Sequence, residues 1–428
     1  MPGRYDRSQR RQSRRTWNSR VSAARAVGVA GLTMLALALA ACTSASTGAP
    51  GSSPALSTAP AATPTISAAA AVLPFDAPAK FTVRDGKIIS ASVIGAAHGT
   101  VLPGTVGADA NSWVSDGLPK AAAVYNVSAT VRDSAGGVHT LALTLKIAAI
   151  PQVQKLLFSV TPLAGWTVGV NAPVVIRFLK PIGDRAAVES ALVVTTTEPV
   201  VGSWHWVSSA EVHFRPEAPW PVHSKVDVAI NLDGVKAGPT LWGTSNQHIA
   251  FSVGDAHLTV VDGKTDTFTV TNNGKKWAVW PTSLGRPEFV TRSGNYVVLA
   301  KSPTRQMTSC NANITCDKKN KNYYDLTVNL DVRLSWSGTF IHSAPWSVAH
   351  QGVDNVSHGC INLSPARATL YFGFARYGDL VTVKNTSRTA ADLVAGGDPG
   401  MADWNVPWST YVAASALGSE VTTGVITS

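Results

Sequence analysis

The sequence is poor in charge and in cysteine. Of its 428 residues only 14% are Asp, Glu, Lys or Arg, and only four are Cys. It also has little net positive charge outside its first 25 residues. These hold Arg4, Arg7, Arg10, Arg11, Arg14, Arg15, Arg20 and Arg25 against Asp6 alone, which accounts for +7 of a formal net charge of +10. The +3 left for the rest of the chain is too thin a basic footprint for a nucleic-acid partner. What is plentiful is apolar: 45% hydrophobic residues with 13 Trp exclude a wholly disordered chain. The length suits about three domains with cores of their own.

The N-terminus carries no apolar run long enough for a comfortable bilayer span, which takes about 20 residues. Ala26–Ala41 is an uncharged run of 16 residues behind the Arg-rich stretch, the layout of a signal-peptide h-region after a basic n-region. It ends Leu39-Ala40-Ala41-Cys42, which resembles the bacterial lipobox. That likeness implies cleavage before Cys42 and lipidation of its new N-terminus. Ser13-Arg14-Arg15-Thr16-Trp17 faintly resembles a twin-arginine signal. Thr43 to about Leu73 is almost entirely Ser, Thr, Ala, Pro and Gly without charge, and cannot bury enough apolar surface to order itself. Residues 1–41 are therefore expected to be a lipoprotein signal peptide and 42–74 a disordered tether. The expected location is outside the cell proper: lipid-anchored on the outer face of the cytoplasmic membrane, reaching into the cell wall.

The exported part is expected to be mainly β. Residues 75–150 show short alternating runs, most clearly Tyr125–Arg132 and Val138–Ile147 around Asp133-Ser-Ala-Gly-Gly137, a hairpin pattern. Residues 151–253 repeat the style, with strand candidates Val174–Phe178, Ala191–Thr196, Glu211–Arg215 and Val226–Ile230. Both blocks look like immunoglobulin-type β-sandwiches, and neither shows a catalytic constellation. Asp184, Arg185 and Glu189 read as a solvated surface face. From Gly254 the character changes. Leu258–Val261 and Phe268–Thr271 flank Asp262-Gly263, Tyr296–Ala300 is a further run, and Leu330–His342 alternates again. One helix is expected from Ser364 as N-cap and Pro365 at the first position through Tyr377, with Gly378 as terminator and Leu380–Val383 as a strand after it.

The four cysteines sit at 42, 310, 316 and 360. With Cys42 assigned to lipid, Cys310 and Cys316 lie six apart in a polar loop where an exported protein allows a local disulfide, a pairing that only geometry decides. Cys360 is left over, in Asn355-Val-Ser-His-Gly-Cys-Ile-Asn-Leu-Ser364, with His342 eighteen residues upstream. A thiol attacks as thiolate, and an imidazole can take its proton and return it to a leaving amine. Gly359 lets the backbone turn tightly beside the sulfur and aim amides at a developing oxyanion. The plainer alternative is a buried, inert Cys beside a hydrogen-bonded core His. A metal site is disfavoured, because His342, His350, His358 and Cys360 are spaced eight, eight and two apart, unlike any zinc pattern.

His342 and, starting fifteen positions later, Ser357-His358-Gly359-Cys360-Ile361-Asn362 closely resemble the signature of L,D-transpeptidases with the YkuD catalytic domain. The likeness extends to Ile341–Val348 and to Asp403-Trp-Asn-Val-Pro-Trp408. The whole layout resembles the lipoprotein-type enzymes of actinobacteria, with two immunoglobulin-like modules ahead of the catalytic domain. The resemblance implies a β-rich catalytic domain at 254–384 with one main helix, and a C-terminal segment at 385–428 packing back on it. It implies that Cys360 attacks a peptidoglycan tetrapeptide stem after its third residue. His342 would be general base and acid, and Ser343 would hold its other ring nitrogen. The amides of His358, Gly359 and Cys360 would form the oxyanion hole. Tyr324, Ser337, Gly338 and Asn362 would contact substrate, and Trp346 and Met307 would line the cavity mouths. A stem amine would then resolve the thioester as a 3→3 cross-link, and carbapenem β-lactams would acylate Cys360. No cofactor, metal or nucleic acid is implied.

Sortases keep a longer His–Cys gap and a different Cys motif, and papain-like and NlpC-type peptidases place Cys before His. Two functional alternatives remain: a non-catalytic wall-binding lipoprotein, or a related acyltransferase that releases the terminal residue or attaches protein to the wall.

Overall fold

The computed structural model describes residues 62–312, 314–395, 398 and 403–426. The expected signal peptide, Cys42 and the tether as far as residue 61 lie outside the described residues. Three separate apolar cores organise the described chain.

The first core lies between a sheet of Thr65–Ala68, Lys80–Arg84, Ser112–Ser115 and Gly104–Val106 and a sheet of Lys87–Gly95, Val124–Arg132 and Val138–Lys146. In the expected hairpin Arg132 pairs with Val138. Its loop is closed by Asp133, whose Oδ1 accepts from the amides of Ala135 and Gly137 at 2.9 and 2.7 Å. The tether expectation is corrected at its end. Thr65–Ala68 is already a strand, with Ile66 opposite Val83, and Leu73 is buried. One apolar side chain at the right alternation suffices to dock a segment whose average composition looks unstructured.

The second core joins two five-stranded sheets and is rich in indoles: Trp204, Trp206 and Trp220 are buried with Phe214 and Phe251. Burying Trp220 leaves an N–H to satisfy, and it donates to the Ala172 carbonyl at 2.8 Å. Glu189 is not on a solvated face. It is buried, its Oε2 accepts from Trp206 Nε1 at 2.8 Å and from the Ala416 amide at 2.7 Å, and Ser415 also donates to it. Asp184 caps the short helix Arg185–Glu189 by accepting from the Ala187 amide at 2.9 Å.

The C-terminal segment also departs from expectation. Its beginning touches the catalytic domain, where Asn405 Oδ1 accepts from the Asn295 amide at 2.8 Å. From the helix Trp408–Ala413 onward it belongs to the second sandwich. Val421–Thr422 adds an edge strand beside Val201–Ser208, and Gly424–Val425 one beside Leu192–Thr196. Both strands thereby cover an edge that the sandwich sheets would otherwise leave open. The two domains also meet backbone to backbone. The Gly169 amide donates to Tyr377 O at 2.7 Å and the Asn171 amide to Gly378 O at 3.1 Å. Gly378 has φ +83°, and a Cβ there would lie 2.2 Å from Ala172 Cβ, so only glycine fits this seam.

The third core lies in the catalytic domain. One sheet runs Lys275–Pro281, Thr267–Asn272, His257–Asp262, Leu380–Lys384, Gly294–Val297. The other runs Ala300–Thr308, Asp325–Arg333, Phe340–Ser343, Ile361–Leu363. The helix Pro365–Phe374 buries Ala368 and Tyr371 against it. Ser364 stands at its N-cap without a side-chain cap bond, and the helix stops three residues before Tyr377. Asp379 Oδ2 takes the Arg376 amide at 2.7 Å and pulls the chain into a turn at Gly378. The alternating run Leu330–His342 is likewise two strands separated by a turn at Ser335–Gly338.

His213 is fully buried on the second sandwich, with Nδ1 2.8 Å from Asp403 and Nε2 2.8 Å from Glu211. Burial opposes its charge, but the two carboxylates outweigh this and push its pKa up to about 9. Its stabilising contribution is thus complete below about pH 6.5, the unfolded value, and is lost as pH rises through about 9. Denaturant unfolding between pH 6 and 10 should show this loss, and His213→Gln should be less stable at pH 6 and flatter across the window.

Candidate active site

His342 and Cys360 meet because two short strands pair in parallel. Ile341 is in register with Ile361, His342 with Asn362 and Ser343 with Leu363. In a strand alternate residues share a face, so His342 and Asn362 project together, and Cys360, two residues before Asn362, falls on the same side. Both His342 and Cys360 line a cavity of about 240 Å³ with Trp346, Asn362, Tyr324 and Met307. Cys360 also lines a second cavity of about 850 Å³, walled by Ser337, Gly338, Arg333, Phe340 and the loop around Ile314. Cys360 therefore borders both cavities, together with Met307, Tyr324 and His358.

His342 is buried, and its Nδ1 donates to the backbone carbonyl of Ser343 at 3.0 Å. A carbonyl can only accept, so Nδ1 carries the proton and Nε2 keeps its lone pair. Burial lowers the imidazole pKa, which the Ser343 carbonyl and the charge of Asp331 partly counter. Cys360 is the free cysteine among the described residues, and it is half-buried. Burial pushes its thiol up to about 11, against a smaller pull from the Phe340 amide. The thiol donates to Gly338 O at 3.8 Å. The resting pair is thus a neutral thiol and a neutral imidazole.

The turn carrying the sulfur is held from several sides. Gly359 has φ +115°, a conformation that disfavours any side chain. Ser357 Oγ donates to Cys360 O at 2.6 Å and accepts the Gly359 amide at 3.0 Å. Thr291 Oγ1 donates to Gly359 O at 3.0 Å. Of the three amides that the resemblance gives to the oxyanion hole, that of Gly359 is therefore already engaged. His358 Nε2 accepts from Arg286 Nη2 at 2.9 Å, and its ring lies between those of Phe289 and Tyr324, with centroids 5.0 and 4.8 Å away. Burial and then the Arg286 charge lower its pKa.

The remaining expected residues surround the same space. Tyr324 is half-buried, and burial followed by the Cys360 charge pushes its hydroxyl up to about 12. The Ser337 amide donates to Asp398 at 2.8 Å, and Gly338 has φ +108°. Asn362 Nδ2 donates to Ser347 Oγ at 3.0 Å, while its Oδ1 is buried with no partner. Trp346 is exposed beside the His342 ring at 6.0 Å, which is not core packing. Met307 borders both cavities. Cys310 and Cys316 form a disulfide in the loop over the larger cavity. Among the described residues no cluster of His, Cys, Asp or Glu could hold a metal ion.

Sequence reasoning missed the charges beneath the site. Between the pairs Asn329–Ser343 and Val332–Ile341 the ladder bulges, with Leu330 at φ +57°. The bulge turns Asp331 into the interior, where it is fully buried. Its Oδ2 accepts from Arg305 Nε at 2.8 Å and its Oδ1 has no partner. Its negative charge raises the pKa of both His342 and Cys360. An acid at an apparently ordinary strand position gives no signal until the bulge re-aims it.

Comparison with known proteins places the chain by its sequence. Residues 256–383 match the L,D-transpeptidase catalytic domain family, and residues 70–236 match a bacterial Ig domain. L,D-transpeptidase 2 of Mycobacterium tuberculosis is 34% identical over 341 residues, covering 80% of this chain and 81% of that one. L,D-transpeptidase 1 of the same species is 37% identical over 243 residues, 56% of this chain and 90% of that one. Among solved structures, L,D-transpeptidase 3 of M. tuberculosis in complex with a faropenem-derived adduct is 33% identical, with a TM-score of 0.45, covering 53% of this chain and 97% of that one.

A thiol held up at about 11 should be slow to alkylate at neutral pH. Iodoacetamide should modify Cys360 of the free protein on the order of 100-fold more slowly than a cysteine peptide at pH 7.5, with a rate rising toward pH 11. A plateau from pH 7 would instead reveal a preformed thiolate–imidazolium pair. Because the charge of Asp331 opposes the thiolate, Asp331→Asn should move the same profile to lower pH.

Proposed function

The chain belongs to the L,D-transpeptidase family, and we propose that it forms 3→3 cross-links between peptidoglycan stems through a thioester on Cys360. The observation that carries this reading is the parallel pairing that sets a lone-pair-bearing His342 Nε2 and the Cys360 thiol on one cavity.

The steps follow from the resting protonation. Two neutral partners give no standing nucleophile, so substrate must take the place of the Gly338 carbonyl at the sulfur. His342 then accepts the thiol proton as sulfur bonds to the carbonyl carbon of the donor's third residue. The charge moves onto the carbonyl oxygen, where the amides of His358 and Cys360 serve as donors. Collapse breaks the bond to the terminal D-alanine, whose amine takes the proton from His342. An amine of a second stem attacks the thioester, gives its proton back through His342, and restores the thiol. One amide is broken and one formed, without any cofactor. The negative charge of Asp331 favours the imidazolium present in both halves. The orphaned Asn362 Oδ1 offers an acceptor to a substrate N–H. Two cavities bordered by Cys360 suit two peptide partners, donor and acceptor.

The lipid anchor at Cys42 and placement on the outer face of the membrane belong to the same proposal, as does acylation of Cys360 by carbapenems. Incubating the soluble fragment from residue 62 with disaccharide-tetrapeptide should yield the cross-linked dimer and free D-alanine by mass spectrometry. Release of D-alanine without dimer would favour a carboxypeptidase instead. Imipenem should add its mass to the protein and fail to do so in Cys360→Ala. His342→Ala should slow adduct formation by about 100-fold or more, and acylation at the native rate would remove His342 as the base.

A further inference from the structure

The larger cavity beside Cys360 has a cationic wall. Arg292, Arg305, Arg333 and Arg388 line it, with Glu288 as the lining carboxylate. Most of this charge is answered. Arg292 and Arg388 each hold Asp392 at 2.7 Å, Arg305 holds the buried Asp331 at 2.8 Å, and Glu288 lies 3.4 Å from Arg286. Arg333 is different. Among the described residues no carboxylate forms an ion pair with it, and its hydrogen bond is to a neutral group, the Ser335 carbonyl, at 3.2 Å from Nη1. Asp331, already paired with Arg305, and then Asp398, whose carboxylate accepts from the amides of Trp336 and Ser337, bear on it only at longer range.

The placement of this surplus cation is specific. Arg333 pairs with Phe340 across the strands, and its guanidinium lies 4.5 Å from the Phe340 ring centroid and 4.8 Å from that of Trp336. Arg305 lies over the same Phe340 ring at 5.3 Å, so two guanidiniums share one aromatic platform and one buried carboxylate. Stacking on rings fixes the plane of a guanidinium while leaving its edge donors free. Phe340, both guanidiniums and Cys360 line the same cavity, so the platform shares a wall with the sulfur. A partly buried charge that shares a carboxylate already paired with another guanidinium, and has no ion pair of its own, is costly unless a ligand supplies one.

We propose that Arg333 is the receptor for a carboxylate of the peptide that Cys360 acylates, taken edge-on by the guanidinium fork. This rests on the transpeptidase reading for the identity of the peptide. Such a stem offers two carboxylates near the scissile bond: that of the terminal D-alanine, and that on the side chain of a third-residue diamino acid.

The test uses a synthetic tetrapeptide with meso-diaminopimelate at its third position, in three forms: both carboxylates free, the terminal one amidated, or the side-chain one amidated. Binding is measured by calorimetry to Cys360→Ala protein, with and without Arg333→Gln, so that turnover does not enter. The free peptide should lose about tenfold or more in affinity on Arg333→Gln, as for a hydrogen-bonded charge pair. Amidating one of the two carboxylates should cause the same loss on the Arg333 protein and none further on the variant, which identifies the group bound. Absence of binding, or a loss on Arg333→Gln that is equal for all three peptides, would overturn the proposal. Release of D-alanine by the unmutated protein is scored separately. Arg333-dependent binding without release would leave this inference standing and remove the transpeptidase reading, and release without Arg333 dependence would do the reverse.

Discussion

The site depends on one backbone constraint: the parallel pairing of Phe340–Ser343 with Ile361–Leu363. His342 and Cys360 are eighteen positions apart in the chain, and the ladder reduces this to neighbouring strands with a fixed face. Parallel strands cannot be joined by a tight turn, so the crossover has to leave the sheet. It does so through the short 3-10 helix Pro345–His350, which leaves Trp346 at the cavity rim. Ile341, Ile361 and Leu363 are fully or almost fully buried, and their packing makes the register costly to change. A slip of one residue would turn His342 and Asn362 to the opposite face.

Electrostatics around the pair follow from the same burial. Removing His342 and Cys360 from water favours the uncharged form of each, so the nucleophile is latent in the free protein. The one full negative charge placed beneath them, Asp331, is tied to Arg305 and acts at a distance. It supports the imidazolium and opposes the thiolate, the bias wanted for a base that must hold a proton while charge passes from sulfur to a carbonyl oxygen. The Phe340 ring, flanked by Arg305 and Arg333, carries this charge arrangement to the wall of the larger cavity.

The second sandwich is fastened to the catalytic domain by the chain itself. The C-terminal segment leaves the catalytic domain at Asn405, is held by the buried His213–Asp403 pair, stacks Tyr411 on His205, and ends as edge strands on both sandwich sheets. Trp336, on the wall of the active-site cavity, also lies 5.9 Å beneath Arg177 of that sandwich. The module next to the catalytic domain therefore borders the site.

Much of this was legible in residue order. Short alternating runs and turn residues specify β-structure locally, and the sequence is identified as an L,D-transpeptidase by Ser357–Asn362 with His342 at its spacing. Cys360 stood out in residue order as the cysteine left over, and the Cys310–Cys316 bond leaves it the free one among the described residues. What the order of residues could not show are effects of chain segments far apart. The tether's last residues become a strand because Val83 waits opposite Ile66. The C-terminal segment goes to the sandwich, where it pairs with Val201–Ser208 and Leu192–Thr196, strands far earlier in the chain. Asp331 and Arg333 acquire meaning through a bulge and an aromatic platform. Local chemistry and periodicity are properties of neighbours in sequence; burial, register and charge balance are properties of neighbours in space, and those were decided by the tertiary structure.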